Sequence, residues 1–410
     1  MDGDRGLEVK LKPSLNYNST LGQSVQNQGF QSKARTSVMA YYGKKFVPLL
    51  VVLGLGYHNY SYCYRFCWTE VHDRLNHHSV CYGLLFGFNF IQAILLIIWL
   101  EIFIVGPGRL KLQIPPYDLS MYFDQTRNDV SSQGDFNRDK LIYNSQIYIE
   151  APDFFICNFQ GLPFWCSKCN SLKLMRSHHY NGCNACIKRF DHYCIWIGAV
   201  IGSDNYKFFI SILIWFLIYF IFTVASVSAY ASDIKDYETV NLKYTLNPNL
   251  IFLYIVDNFW ILIVSLLLGC HLFSIKRNVS TVEELQISRM KRLARKRHRK
   301  NKYSEVEESK EVEDHLYVNA KHPLHPKVRF VVRLTDKDYP YNKGFNRNWR
   351  EVMGDNFLNW FNPIKLPKMK NLVQNFQDLI DNENNLISDN FKKEVLKRID
   401  EGNCVQFGSY

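Results

Sequence analysis

Apolar residues in this chain gather into four long runs, at 46–64, 82–105, 208–230 and 250–273, and polar stretches separate them. An α-helix needs ~20 residues to cross ~30 Å of hydrocarbon, so each run has the length of a span. The third run carries no charge, the second holds Asn89, Gln92 and Glu101, and the fourth holds Asp257 and Asn258. The first is the weakest, because its second half is aromatic and polar. The pattern predicts an α-helical integral membrane protein with four transmembrane helices, large soluble parts and no internal repeat. Polar residues inside spans two and four are expected to hydrogen-bond between helices. The sharper alternative, a transport path using Asp257 and Glu101, rests on only one acid per span.

Charge beside the runs orients them. Lys33, Arg35, Lys44 and Lys45 precede the first run, and Arg289, Lys291, Arg292, Arg295, Lys296, Arg297, Arg299, Lys300 and Lys302 follow the fourth. The short loops on the other side carry only Arg65, Arg74, Lys235 and Lys243. Basic residues collect on cytosolic flanks, so the N- and C-termini and the loop after span two face the cytosol. The chain then divides into a cytosolic tail (1–45), spans one and two (46–105), a cytosolic linker (106–165), a cysteine-rich domain (166–207), spans three and four (208–273) and a cytosolic C-terminal region (274–410).

The net charge of +11, from 49 basic and 38 acidic side chains, would suit nucleic acid, but the basic residues sit beside the apolar runs. A lipid bilayer is therefore the expected partner, and no nucleic acid is expected. The run "RMKRLARKRHRK" is a stop-transfer flank on anionic lipid, and the acidic stretch at 304–314 is a solvated linker. The polar first 40 residues show no cleavable signal peptide.

Five of the 11 cysteines lie between 166 and 194, a density that points to metal or thiol chemistry in a reducing compartment. Cys166 and Cys169 form a C-x2-C knuckle, and His179 and Cys186 follow after nine and six intervening residues. Three thiolates and an imidazole suit tetrahedral zinc, and a site closed by four protein ligands is structural. Buried reduced cysteines in a small, strand-poor loop are the plainer alternative. Cys183 finds no obvious metal partners, since the candidate positions hold Tyr180, Tyr193 and Val200, and a second site is not expected. Cys194 stands beside His192 and Asp191. An imidazole can take a thiol's proton, and a carboxylate can orient that imidazole; service of all three to the metal fold is an equal alternative, and the residues alone leave both open. Cys63 and Cys67, near the non-cytosolic face, are candidates for pairing, and Cys157, Cys270 and Cys404 are candidates for lipidation, although nothing requires either.

The run "CSKCNSLKLMRSHHYNGCNACIKRFDHYCIWIGAVIGSDNYKFF" (166–209) resembles the cysteine-rich domain of the DHHC-type protein S-acyltransferases, the palmitoyltransferases. "STVEE" from Ser280 resembles the family's T-T-x-E motif, with Ser280 in place of the first threonine. "YNKGFNRNWREVMG" (341–354) resembles its C-terminal aromatic-and-asparagine motif, with Tyr341 and Asn348 as counterparts. A cysteine-rich loop between spans two and three is also the family's order. The resemblance covers roughly residues 40–355. It implies two interleaved zinc sets. The first falls on Cys166, Cys169, His179 and Cys186 and is intact; the second falls on Tyr180, Cys183, Tyr193 and Val200, where three of four ligands are absent. One structural zinc follows, with apolar and aromatic packing replacing the other. The DHYC variant is similar to a fungal subgroup, one branch of which carries ankyrin repeats that are missing here. The Pro and Asn-Cys usual near the active thiol are replaced by Ile195 and "GAV" (198–200).

What the resemblance implies is a ping-pong reaction. Cys194 attacks the thioester of palmitoyl-CoA, with His192 as base and Asp191 orienting it, and the acyl group then passes to cytosol-facing cysteines of membrane-associated substrate proteins. Lys173, Arg176, Lys188 and Arg189 are candidates for the CoA phosphates, and Trp196 for packing by the acyl carbonyl. A zinc-containing membrane scaffold without catalysis is the alternative.

Overall fold

A continuous helical rod opens the described part of the chain. α1 (Val38–Asn59) passes without a break into a π-helical segment, Tyr60–Arg74, and α2 (His78–Val105), α3 (Tyr206–Ala229), α4 (Ala231–Val240) and α5 (Pro248–Arg277) follow. The structure, a computed structural model, describes residues 38–110, 113–122, 148–240, 247–300, 316–356, 360 and 376–407. Lys33, Arg35, Lys243, Lys302, most of the N-terminal tail and the acidic stretch at 304–314 lie outside the described residues.

Among the described residues, α2, α3 and α5 are long and apolar enough to cross a membrane, at 28, 24 and 30 residues. At ~1.5 Å per residue, even the shortest reaches about 36 Å. The expected first span falls across the junction of α1 and the π segment. That junction is half polar: Ser61, Glu70 and His58 are buried there beside Tyr62, Phe66 and Cys67. The expected helix-to-helix bonds form at Gln92 and Asp257, whereas Asn89 and Asn258 donate to carbonyls of their own helices and Ser61 Oγ and Glu101 Oε2 have no partner among the described residues. Asp257 Oδ1 lies 2.8 Å from His58 Nε2, and the Tyr219 hydroxyl lies 2.8 Å from His58 Nδ1, tying α1, α3 and α5 together. Asn59 donates to Gln92 of α2 at 2.6 Å, and Glu70 accepts from Arg74 and from Asn247 at the start of α5. Asp257 is thus committed to a packing bond, which removes half the basis for a transport path.

Packing follows the helical repeat. Cys81, Phe88, Ile91, Leu95, Ile98 and Ile102 bury one stripe of α2 against α3, and α3 lies between α2 and α5. The other faces of α2 stay apolar yet exposed, as at Phe86 and Ile104, as lipid-facing surface does. α5 begins at Asn247, whose side chain accepts from the Asn249 N–H with Pro248 in the first turn, and ends at Asn278 in the left-handed conformation (φ 51°).

The soluble parts contain strands where few were expected. Residues 106–165, read from sequence as a linker, contribute β1 (Tyr117–Asp118), β2 (Ile149–Glu150) and β3 (Phe154–Cys157). The cysteine-rich domain, expected to be strand-poor, is three hairpins: β4 (Trp165–Cys166) with β5 (Ser171–Leu172), β6 (His178–Tyr180) with β7 (Ala185–Ile187), and β8 (His192–Cys194) with β9 (Ala199–Ile201). Strands of two or three residues are too short to show alternation, so the pattern missed them.

After α5 come α6 (Thr281–Lys300), β10 (Tyr317–His322), β11 (His325–Arg333), α7 (Phe345–Met353), α8 (Phe376–Leu386), α9 (Asp389–Asp400) and β12 (Val405–Gln406). β12, β11, β10 and β3 form one antiparallel sheet in that order. The former linker therefore shares a core with the C-terminal region: Phe155, Val318 and Val331 of the sheet pack with Ile380, Ile387 and Val395 of α8, its end and α9. All 11 cysteines are free thiols, Cys63 and Cys67 included. Cys157 is wholly buried in the sheet, so it is not available for lipidation.

The Asp257–His58–Tyr219 chain generates a stability prediction. Asp257 Oδ2 already lacks a partner among the described residues, so His58→Ala leaves the whole carboxylate unpaired inside the bundle. A loss of about 1–3 kcal/mol is expected, read as a lower thermal midpoint in detergent; His58→Ala melting with wild type would contradict it.

Candidate active site

The three hairpins are built on a repeat that the sequence conceals. The first ligand set is 166, 169, 179 and 186, and adding 14 to each gives 180, 183, 193 and 200. The expectation of no internal repeat is therefore corrected: β6/β7 and β8/β9 are successive copies, hidden because only Cys183 survives as a ligand type in the second. In β6/β7, His179 is the cross-strand partner of Cys186. In β8/β9 the same cross-strand position pairs Tyr193 with Val200.

In the first copy the ligand atoms of Cys166, Cys169, His179 and Cys186 lie within 4.8 Å of one another. His179 Nδ1 is 3.2 Å from Cys169 Sγ and 3.5 Å from Cys166 Sγ. Three soft thiols and one imidazole at that separation fit a tetrahedral zinc, and among the described residues it is the one such cluster. In the second copy the rings of Tyr180 and Tyr193 stack at 6.2 Å and 13°, and Phe190 stacks on Tyr180 at 5.7 Å. Val200 is buried beneath. Aromatic packing stands where the second metal set would be.

Two residues after Tyr193's hairpin begins, β8 ends at Cys194. The Gly198 N–H donates to the Cys194 carbonyl at 2.9 Å, closing a tight turn. Gly198 has φ +83°, and a Cβ there would meet Pro48 of α1 at 3.0 Å, so this turn needs glycine. Within it, Ile195 and Trp196 are exposed, Trp196 packs edge-on against Trp260 of α5 at 5.6 Å, and Trp99 of α2 donates to the Ile197 carbonyl. Asn205, wholly buried, donates to the Ile102 and Val200 carbonyls and accepts from Gly202. The thiol is thus fixed where the hairpin meets the spanning helices.

Asp191, His192 and Cys194 are brought together. His192 Nδ1 lies 2.6 Å from Asp191 Oδ2, and the ring also interacts with Cys194 at the end of the same strand. With Nδ1 held by the carboxylate, Nε2 is the nitrogen left for the thiol. Asp191 is itself held: it accepts from the Thr281 N–H at 2.7 Å and from Thr281 Oγ1 at 3.0 Å. Burial pushes the Asp191 carboxyl up, but the bonds from His192 and Thr281 outweigh it and hold it below its usual value. Burial likewise pulls the His192 imidazole down, and its interactions with Asp191 and Cys194 overcome this and raise it to about 9. The raised value is a greater proton affinity, which suits the ring to taking a proton from a neighbouring thiol. His271 of α5, which no motif marks, packs 5.9 Å from the His192 ring.

The candidate phosphate ligands separate. Arg176 is a correction: its Nε and Nη2 donate to Glu283 at 2.7 Å, its Nη1 and Nη2 to Asn278 at 2.9 Å, and its guanidinium lies 4.4 Å over the Tyr341 ring. With its donors spent on protein groups and its side chain 4% exposed, Arg176 is a brace. It joins the cysteine-rich domain to Glu283 of "STVE" and to Tyr341. Asn348, buried, donates to the Lys276 carbonyl at the end of α5 and accepts from the Lys343 N–H. Lys173 and Lys188 are half-buried on the domain, and Arg189, drawn down to about 10 by burial and by Arg176, lies over the Tyr206 ring at 5.4 Å.

Two predictions follow from this geometry. Elemental analysis is expected to give one zinc per chain, lost in Cys169→Ala and kept in Cys183→Ala; two zincs would contradict the stacked-tyrosine reading. In Asp191→Asn the His192 imidazole loses its anionic partner, so its titration midpoint falls below about 9, read by NMR of the histidine rings. Because the folded value is raised, the pair's stabilisation is complete below the ordinary ~6.5 and disappears as pH rises through about 9. An unchanged midpoint would show that Asp191 does not set it.

A family model described as DHHC palmitoyltransferase matches residues 161–288, which contain the cysteine cluster, Cys194 and Thr281. The chain is 34% identical over 315 residues to palmitoyltransferase PFA5 of Candida albicans, covering 75% of this chain and 70% of that protein. It is 29% identical over 328 residues to palmitoyltransferase PFA5 of Saccharomyces cerevisiae, covering 79% and 80%, and 26% identical over 371 residues to that of Kluyveromyces lactis, covering 89% and 95%. Similarity of that extent, reaching past the cysteine cluster into the helices and the C-terminal region, carries the conclusion that this chain belongs to the DHHC palmitoyltransferase family.

Proposed function

We propose that Cys194 is the thiol through which this protein S-palmitoyltransferase passes its acyl group. The observation that carries the reading is His192 held between Asp191 at 2.6 Å and the Cys194 thiol. In the first step His192 accepts the Cys194 proton, and the sulfur attacks the thioester carbonyl of an acyl-CoA. The carbon–sulfur bond to CoA breaks, and the CoA thiolate takes the proton from His192. In the second step His192 accepts the proton of a substrate cysteine, whose sulfur attacks the Cys194 thioester and releases Cys194 as the leaving thiolate, which regains the proton. Asp191 keeps Nδ1 as the donor and so keeps Nε2 available in both steps.

The membrane supplies the rest. A long acyl chain gains about 0.8 kcal/mol per CH2 moved out of water, and Ile195 and Trp196 expose an apolar surface directly after Cys194. The chain then lies among the spans while CoA stays in the cytosol, where Lys173, Lys188 and Arg189 are the remaining basic candidates for its phosphates. α1 serves as the fourth span: Phe46, Leu49, Leu50, Val52 and Leu53 are exposed and apolar along it. This topology puts both termini in the cytosol with the cysteine-rich domain. A zinc bound by Cys166, Cys169, His179 and Cys186 would crosslink the first hairpins and take no part in the acyl steps, since all four ligand positions are filled by protein. Tyr193 stands at a former ligand position and not at the base, so it gives the scaffold reading no support.

Incubation of purified protein with labelled palmitoyl-CoA tests the reading. Wild type is expected to acquire a hydroxylamine-labile label and Cys194→Ala none. Equal labile labelling of both would remove Cys194 from the reaction.

A further inference from the structure

Helix α8 carries a carboxylate on its buried face. Ile380 and Ile387 are 5% and 1% exposed, and between them, at helical spacing, stands Glu383 at 4%. A buried carboxyl needs a partner, and this one reaches out of its own unit: Glu383 Oε2 accepts from the backbone N–H of Met175, in the cysteine-rich domain, at 2.7 Å. Lys188 of the same domain, Tyr117 of β1 and Tyr341 are the titratable groups that face it.

Met175 leads directly into Arg176, a non-glycine residue at φ +64°. Such a backbone conformation persists where its surroundings over-determine it, and here two carboxylates brought from outside the domain do so. Glu283 of α6 holds the Arg176 guanidinium, and Glu383 of α8 holds the amide before it. Glu283 also accepts from the Ser280 N–H at 2.7 Å, fixing the first turn of α6, and the next residue, Thr281, is the one that holds Asp191. The links from Glu383 to Met175, from Arg176 to Glu283, from Thr281 to Asp191 and from Asp191 to His192 are each hydrogen bonds of 2.6–2.7 Å.

We propose that Glu383 is a positioning residue for acyl transfer: it holds the Met175–Arg176 turn, which keeps Arg176 on Glu283, Thr281 on Asp191, and His192 aligned with Cys194. The C-terminal α/β unit thereby takes part in building the active site from outside the family's matched segment. Burial pushes the Glu383 carboxyl up to about 8, against the pull of Met175 and Lys188. Ionisation in this site is therefore disfavoured: the penalty starts as pH rises past the ordinary ~4.3 and is complete above about 8. A glutamine keeps the acceptor oxygen and never ionises.

The role rests on Cys194 as the acylated thiol, so the test pairs an acylation readout with one that needs no acylation. Single-turnover acylation from palmitoyl-CoA and the His192 titration midpoint are measured on the full chain in lipid nanodiscs, with zinc content as the check on folding. Glu383→Leu, which removes the acceptor, and Glu383→Asp, which retracts it but keeps a carboxyl at the site, are expected to slow acylation by about tenfold, within the range that small misplacements cost. Both are expected to lower the His192 midpoint. Glu383→Gln is expected to acylate within about twofold of wild type at neutral pH, and to gain on it as pH passes about 8. Wild-type rates and an unchanged midpoint in Glu383→Asp would overturn the proposal, as would Glu383→Gln behaving like Glu383→Leu. Were wild type itself unlabelled, the Cys194 reading would fall, and the His192 midpoint would still decide the role of Glu383.

Discussion

The Asp191 carboxylate is the point on which the proposed active site depends. Its Oδ1 accepts from the Thr281 N–H, and its Oδ2 accepts from both the Thr281 hydroxyl and His192 Nδ1. A carboxylate has about four lone-pair sites, so one buried group can fix a helix start and an imidazole tautomer together. Without the Thr281 bonds, Asp191 would be free to turn, and His192 would lose the partner that fixes its Nδ1. Without Asp191, the first turn of α6 would lose its tie to the cysteine-rich domain. The proposed catalytic geometry and the tertiary packing are therefore one set of bonds.

Around that centre, distant segments act as braces because each supplies what another leaves unsatisfied. Arg176 sits in a left-handed turn of the domain and spends its donors on Glu283 and Asn278. Asn278 is the left-handed cap of α5 and in turn donates to the Tyr341 carbonyl. The end of a spanning helix, the start of α6 and the C-terminal motif thus meet at one guanidinium. Charge-assisted bonds of this kind are short and directional, which suits a site whose parts arrive from the membrane, the cysteine-rich domain and the C-terminal region.

Residues whose meaning is local were legible in the sequence. The spacing of Cys166, Cys169, His179 and Cys186 is a property of one hairpin and the knuckle before it, and the structure gathers those atoms within 4.8 Å. Three of the four apolar runs reappear as helices long enough to span. Residues whose meaning depends on a remote partner were not legible. Arg176 looks like a free basic side chain until Glu283 is beside it, 107 positions away. β3 looks like linker because its pairing partner, β10, lies far along the chain. Glu383 looks like an ordinary surface acid on a charged helix. The 14-residue repeat was hidden for a different reason: the stacking of Tyr180 on Tyr193 preserves the hairpin's shape while erasing the ligand letters that would mark it.

The central claim is that one carboxylate serves both Thr281 and His192, and a double-mutant cycle on the single-turnover acylation rate tests it most directly. Thr281→Val removes the hydroxyl bond to Asp191, and Asp191→Asn removes the anion that both groups address. If the carboxylate is shared, the two losses are not additive: the double variant acylates no more slowly than Asp191→Asn alone. Rate losses that multiply in the double variant would mean that Thr281 acts apart from Asp191, and would contradict the account.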